Sequence, residues 1–123
     1  MLKTIALIGI GSCLGGIARY GVTKTATHII GIQSMWGTFA ANMLGCLLIG
    51  IFYGIFERHN LLSEHWRLLF TVGFCGGFTT FSTFIHENYS IFSDGRFLHA
   101  ALYTAVSLFF GLAMVYLGHL ITR

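Results

Sequence analysis

Four long apolar stretches, divided by three short polar breaks, take up nearly the whole chain. The stretches run over residues 4–26, 35–56, 66–92 and 97–121, and the breaks over 28–34, 57–65 and 93–96. A helix needs about 20 apolar residues to cross the hydrocarbon core of a bilayer, and each stretch meets that length. The pattern predicts an all-α integral membrane protein of four transmembrane helices, forming a single domain over residues 1–123. No stretch is left for a soluble domain, and no internal repeat appears.

Composition strengthens this reading. Charged residues make up 9% of the 123 residues and the mean hydropathy is +0.78, whereas a soluble domain carries about 25% charge. A chain of this size buries one modest core, so most of its apolar side chains must face something other than water. The net charge is +3, but the basic residues Lys3, Arg19, Lys24, Arg58, Arg67, Arg96 and Arg123 are scattered. They form no nucleic-acid patch and flank the apolar stretches, as basic residues flank membrane spans. The first stretch is not read as a cleavable signal peptide, because it continues through Arg19 without an A-x-A-like site. Cys13, Cys46 and Cys75 lie inside apolar stretches, without CxxC spacing or a histidine at zinc-site spacing, and read as small buried hydrophobes.

Four spans put the N-terminus, the second break and the C-terminus on one side, with Lys3, Arg58, Arg67 and Arg123. The opposite side has Lys24 and Arg96, with Arg19 a turn deeper. Basic residues on cytoplasmic loops orient a membrane protein, and so even a balance orients it weakly. The expectation is a chain that inserts both ways and pairs antiparallel with a second copy.

The 16 glycines and the absence of proline fit closely packed helices, since small residues four apart let helices approach in lipid. Gly11 and Gly15, Gly50 and Gly54, and Gly37, Ala41 and Gly45 have this spacing; Gly111 and Gly118 lie about two turns apart.

The segment Gly73-Phe74-Cys75-Gly76-Gly77-Phe78-Thr79-Thr80-Phe81-Ser82-Thr83-Phe84 carries the most chemistry. Gly-Gly followed by Thr-Thr is a poor helix sequence, and a helix broken at membrane depth must be buried in protein or line a cavity. A break here frees backbone carbonyls, such as those of Gly76 and Thr79, to coordinate a small cation. Phe78, Phe81 and Phe84 recur every three residues and are expected to share one helical face. Their ring edges are electropositive and suit an anion; plain packing is the competing reading. Thr38 and Asn42 stand four apart in the second span, where a buried amide must be paired or face water. His99, Tyr103 and Ser107 align in the fourth span, as a wet path or as a packing stripe. Arg19 either snorkels to the interface or draws anions to a vestibule. Glu87, a turn beyond Phe84 and close to the water boundary, reads as a cap or loop residue, or as a regulator of ion access.

Absences narrow the class. No acidic residue occupies the middle of a span, where a proton-coupled exporter would want one. No nucleophile stands with a base to activate it, which argues against an enzyme. A small dual-topology transporter and a purely structural membrane subunit are the remaining alternatives to a conduit for an anion.

The chain resembles the Fluc, or CrcB, family of fluoride channels along essentially its whole length. The resemblance is carried by Gly15-Gly16-Ile17-Ala18-Arg19-Tyr20, by Gly37-Thr38 with Asn42, and above all by the run from Gly73 to Phe84. It implies a fluoride-selective channel in the cell's inner or plasma membrane, working as an antiparallel, dual-topology homodimer with two pores. It implies a central structural sodium ion held by the main-chain carbonyls of Gly76 and Thr79. Phe81, Phe84 and Asn42 match the family's pore residues, Tyr103 and Ser107 its polar track, and Thr38 and Glu87 positions tied to anion access or passage. Gly111 departs from the pattern, since some members have a hydroxyl there. The implied role is passive export of fluoride trapped in the cytoplasm; the partners are a second copy, fluoride and lipid, with no nucleic acid.

Overall fold

A computed structural model describes residues 1–30, 34–59 and 63–122. Asn60 of the second break and Arg123 of the charge balance lie outside the described residues. Helix α1 spans Leu2–Ile30 and α2 spans Ser34–His59. The third apolar stretch is composite: α3 over Glu64–Leu68, a π-helical segment over Leu69–Cys75, α4 over Gly76–Phe78 and α5 over Phe81–Ser93. Helix α6 covers Phe97–Ile121. Four candidate spans result, Leu2–Ile29, Met35–Arg58, Glu64–Ser93 and Phe97–Ile121, each within a few residues of its sequence-predicted limits except for an extension at the N-terminal end or the loop. The architecture is that of an all-α integral membrane protein.

The elements close on local hydrogen bonds, as lipid requires. Helix α5 ends in a Schellman motif, in which Arg96 N–H donates to the Ile91 carbonyl at 3.2 Å and Gly95 N–H to that of Phe92 at 3.0 Å. Gly95 takes φ +81° there, the left-handed conformation that ends such a helix and turns the chain back into α6. In the π-helical segment the Gly76 N–H reaches the Thr71 carbonyl, five residues back, a pattern that recurs at functional sites.

Glycine decides which helices cross. Helix α1 lies on the third span with Gly11 against Gly73: a Cβ built on Gly73 would stand 3.1 Å from the Gly11 Cα. Helix α2 lies on α6 with Gly50 against Gly118, where a Cβ on Gly118 would stand 2.7 Å from the Ile51 nitrogen. At one end of the bundle Thr4 Oγ1 meets His65 Nδ1 at 3.2 Å, tying the N-terminus to the start of the third span. At the same level Arg58 donates to the Thr122 carbonyl at 3.1 Å, tying the end of α2 to the end of the chain. The termini and the second break thus share a side.

The chain covers little of its own apolar surface. Only 11% of the first span's most apolar window and 6% of the fourth's is buried, and Leu108, Phe109 and Leu112 remain largely exposed. Apolar surface of that extent is covered by lipid or by another protein surface.

Candidate functional site

Two adjoining hollows meet at the middle of the bundle. The larger, a groove of about 730 Å³, lies between α2, the third span and α6, and Asn42, Thr79, Thr80, Phe81, Phe84 and Ser107 contribute to its walls. The smaller, about 250 Å³, is walled in part by Trp36, Arg96, His99 and Tyr103. The Phe84 and Tyr103 rings separate them, with centroids 5.0 Å apart in an edge-on arrangement. The predicted stripe of α6 therefore threads both: His99 and Tyr103 wall the smaller cavity, Ser107 and Gly111 the groove.

Thr79 (φ −85°, ψ 161°) and Thr80 (φ −148°, ψ 119°) have extended backbones between α4 and α5. Thr79 folds its own donors back on the Cys75 carbonyl, its N–H at 3.0 Å and its hydroxyl at 2.9 Å. Thr80 N–H donates to Asn42 Oδ1 at 2.8 Å, and Asn42 Nδ2 donates to the Thr80 carbonyl at 3.2 Å. Thr83 N–H turns to Thr80 Oγ1 at 3.3 Å, capping α5. In an unbroken helix the N–H groups of Thr80 and Thr83 would serve the carbonyls of Gly76 and Thr79. Both carbonyls have lost those donors, and both residues stand at the groove. Neutral, hard oxygen donors of this kind suit a small cation such as sodium. Among the described residues no group of three or more His, Cys, Asp or Glu side chains is placed to hold a metal ion.

The phenylalanines do not lie on one face. The two extended residues interrupt the helix after Phe78, so that its ring is buried and stacks on Phe74 at 5.8 Å. Phe81 and Phe84 stay together, 6.2 Å between centroids. Phe81 is 75% exposed in the single chain and Phe84 7%, so one ring faces out of the groove wall and the other seals its floor.

Glu87 is neither a cap nor a loop residue. It sits in the interior of α5 and is buried, because the helix runs on to Ser93 before the chain turns. Thr38 Oγ1 donates to its Oε2 at 2.9 Å and Tyr103 Oη to its Oε1 at 2.8 Å. A carboxylate only accepts, so two hydroxyls from α2 and α6 satisfy one oxygen each. Tyr103→Phe and Thr38→Val each leave one buried oxygen without its donor, at a cost of about 1–3 kcal/mol. Each variant is expected to lower the thermal-unfolding midpoint in detergent, and the double variant to lower it further. An unchanged midpoint in both would show that Glu87 finds other donors.

Arg19 is half-buried on α1 and contributes to the walls of neither hollow. Of the two hollows, the smaller has Arg96 in its wall, with Asp94 3.9 Å from it. Sequence reasoning also missed the pair Asn88 and Thr104. Thr104 Oγ1 donates to Asn88 Oδ1 at 3.0 Å, and Asn88 Nδ2 to the Phe84 carbonyl at 3.0 Å. The signal was present in the spacing, since Asn88 follows Phe84 by four residues and Thr104 follows Tyr103.

Four spans, a largely apolar groove with a few polar groups in its walls and a stretch of extended backbone within the third span define a small multi-pass membrane protein. Residues 6–119 match the family model described as CrcB-like protein, Camphor Resistance (CrcB). The chain is 43% identical to the fluoride-specific ion channel FluC of Chlorobaculum tepidum over 123 residues, covering all of this chain and 97% of that protein. It is 38% identical to the protein of the same name from Azobacteroides pseudotrichonymphae, covering all of this chain and 98% of the relative. For the one from Flavobacterium psychrophilum the identity is 37% over 122 residues, 99% of this chain and 98% of the relative. The chain belongs to the CrcB family, whose curated members are named as ion channels and not as enzymes.

Proposed function

We propose that this protein is a fluoride-selective channel, active as an antiparallel homodimer with two pores, that lets cytoplasmic fluoride leak out passively across the inner or plasma membrane. The observation that carries the reading is the full-length kinship to proteins named fluoride-specific ion channels. The groove supports it, because it gathers Asn42, Phe81, Phe84 and Ser107 and, among the described residues, has no Lys or Arg in its walls. Groove residues such as Phe81, Leu108 and Leu112 are left largely exposed by the single chain, which supports a second copy as their cover.

The physical demand is dehydration. Fluoride is small and strongly hydrated, and stripping its water is costly unless donors replace it. The free Asn42 amide hydrogen, the Ser107 hydroxyl and the ring edges of Phe81 and Phe84 supply weak, successive donors, while the hydroxyl hydrogens of Thr38 and Tyr103 are held by Glu87. Conduction needs sites an ion can leave, and a Lys or Arg side chain beside these donors would hold the anion too tightly. Glu87, by accepting from Thr38 and Tyr103, sets where those hydroxyls point. A role for Arg19 in drawing anions to a vestibule rests on its charge and its place toward the end of the first span. The Gly76 and Thr79 carbonyls would hold a structural sodium ion that is not itself carried through.

The reading is tested by fluoride efflux from liposomes holding the purified protein, with a fluoride electrode as readout and chloride as the competing anion. Rapid loss of fluoride with chloride retained is expected. Absence of fluoride loss from folded, dimeric protein discards the channel. Reporters fused to the C-terminus that read out on one side of the membrane only would sink the antiparallel arrangement.

A further inference from the structure

Asn42 does something in this structure that a pore-lining amide need not do. Its two amide atoms take both backbone polar groups of a single residue, Thr80: Oδ1 accepts from the N–H at 2.8 Å and Nδ2 donates to the carbonyl at 3.2 Å. This is the double exchange by which one strand residue pairs with another, performed by a side chain. It fits the extended angles of Thr80.

The consequence falls on the carbonyls upstream. The Thr80 N–H is the donor that a continuous helix would send to Gly76, and Asn42 captures it. With Thr80 held extended, its hydroxyl is in place to take the Thr83 N–H, the donor that would otherwise serve Thr79. One side chain thus accounts for the release of two carbonyls. A primary amide is suited to this, since it has an acceptor and a donor on one plane. It also has a second amide hydrogen. One is committed to the Thr80 carbonyl, which leaves the other for the groove that Asn42 shares with Phe81, Phe84 and Ser107.

We infer that Asn42 is a positioning residue for the cation site: its two-point hold on Thr80 keeps the Gly76 and Thr79 carbonyls free for sodium and so couples that site to the anion-lining groove. The inference rests on the sodium reading above and goes beyond it by assigning an anion-facing side chain to the shape of the cation site.

The test uses the full-length dimer in detergent, with the thermal-unfolding midpoint titrated with sodium chloride against N-methylglucamine chloride at constant ionic strength. Wild type is expected to gain stability with sodium and to saturate. Asn42→Leu, close in volume but without polar atoms, is expected to raise the half-saturating sodium concentration by about tenfold or more, the loss expected for two hydrogen bonds. Ser107→Ala, which alters the groove but not the hold on Thr80, is expected to keep the wild-type sodium response while fluoride efflux falls. If Asn42→Leu does not yield a dimer, Asn42→Ser, too short to span both Thr80 groups, takes its place with the same expectation. A wild type indifferent to sodium overturns the sodium reading itself. A sodium-responsive wild type with an unshifted Asn42 variant overturns this inference alone.

Discussion

Phe81→Ile and Phe84→Ile are each expected to cut fluoride efflux by about tenfold or more while the dimer still assembles. Isoleucine keeps apolar bulk but has no electropositive ring edge to present to an anion. An interaction worth about 1.4 kcal/mol at the top of the permeation barrier is a factor of ten in rate. The two substitutions differ in what else they disturb. Phe84 is buried against Tyr103, 5.0 Å between ring centroids, so its replacement also opens the partition between the two hollows and lowers the unfolding midpoint. Phe81 is largely exposed within the chain, so its replacement should spare the subunit's own packing and report on conduction more cleanly. Liposome efflux measured beside size-exclusion profiles separates the two effects. Normal efflux from both variants would remove the aromatic edges from the mechanism.

The second large effect is on folding. Gly15→Leu is expected to destabilise the protein by ~3 kcal/mol or more, the upper end of what overpacking costs. A Cβ at Gly15 would press on the Phe74 carbonyl and stand 2.9 Å from the Phe78 nitrogen, so backbone rather than a flexible side chain must give way. The neighbouring Gly16 is the control, because a Cβ there meets nothing within 4 Å. Gly16→Ala should therefore stay within about 0.5 kcal/mol of wild type. The yield of folded protein and the midpoint in detergent check both. A marked loss in Gly16→Ala would mean that this face is packed against another subunit.

This pair of glycines shows how much a sequence can say. Spacing identified Gly11 and Gly15 as a close-packing face, yet spacing is blind to the partner. That Gly73 lies opposite Gly11 follows from how α1 and the third span cross. The same holds at the site. The unusual run from Gly73 to Phe84 was legible as a place where helix is disfavoured, and Asn42 as a polar group needing a partner. That the partner is Thr80, on another span and 38 positions away, was not. That Glu87 is buried inside α5 was not legible either, because position along a span is a poor guide to burial. Two hydroxyls, one from α2 and one from α6, bury it, and neither adjoins it in sequence. The regular spacing of Phe78 with Phe81 and Phe84 misled in another way, since periodicity assumes an unbroken helix and two extended residues shift the phase.

The sequence by itself determined the number of spans, their approximate limits, the membrane setting and the residue types available to line a path. Those follow from hydropathy and length, which act along the chain and need no neighbour. Only the tertiary structure decided which donors meet which acceptors. In lipid a polar group has no water to fall back on, so its partner is whichever complementary group the helix crossings bring within about 3 Å. The crossings are set by glycine contacts between spans. Those contacts place Asn42 on Thr80, Thr38 and Tyr103 on Glu87, and Phe84 between two hollows, and this placement turns a polar stripe into a site.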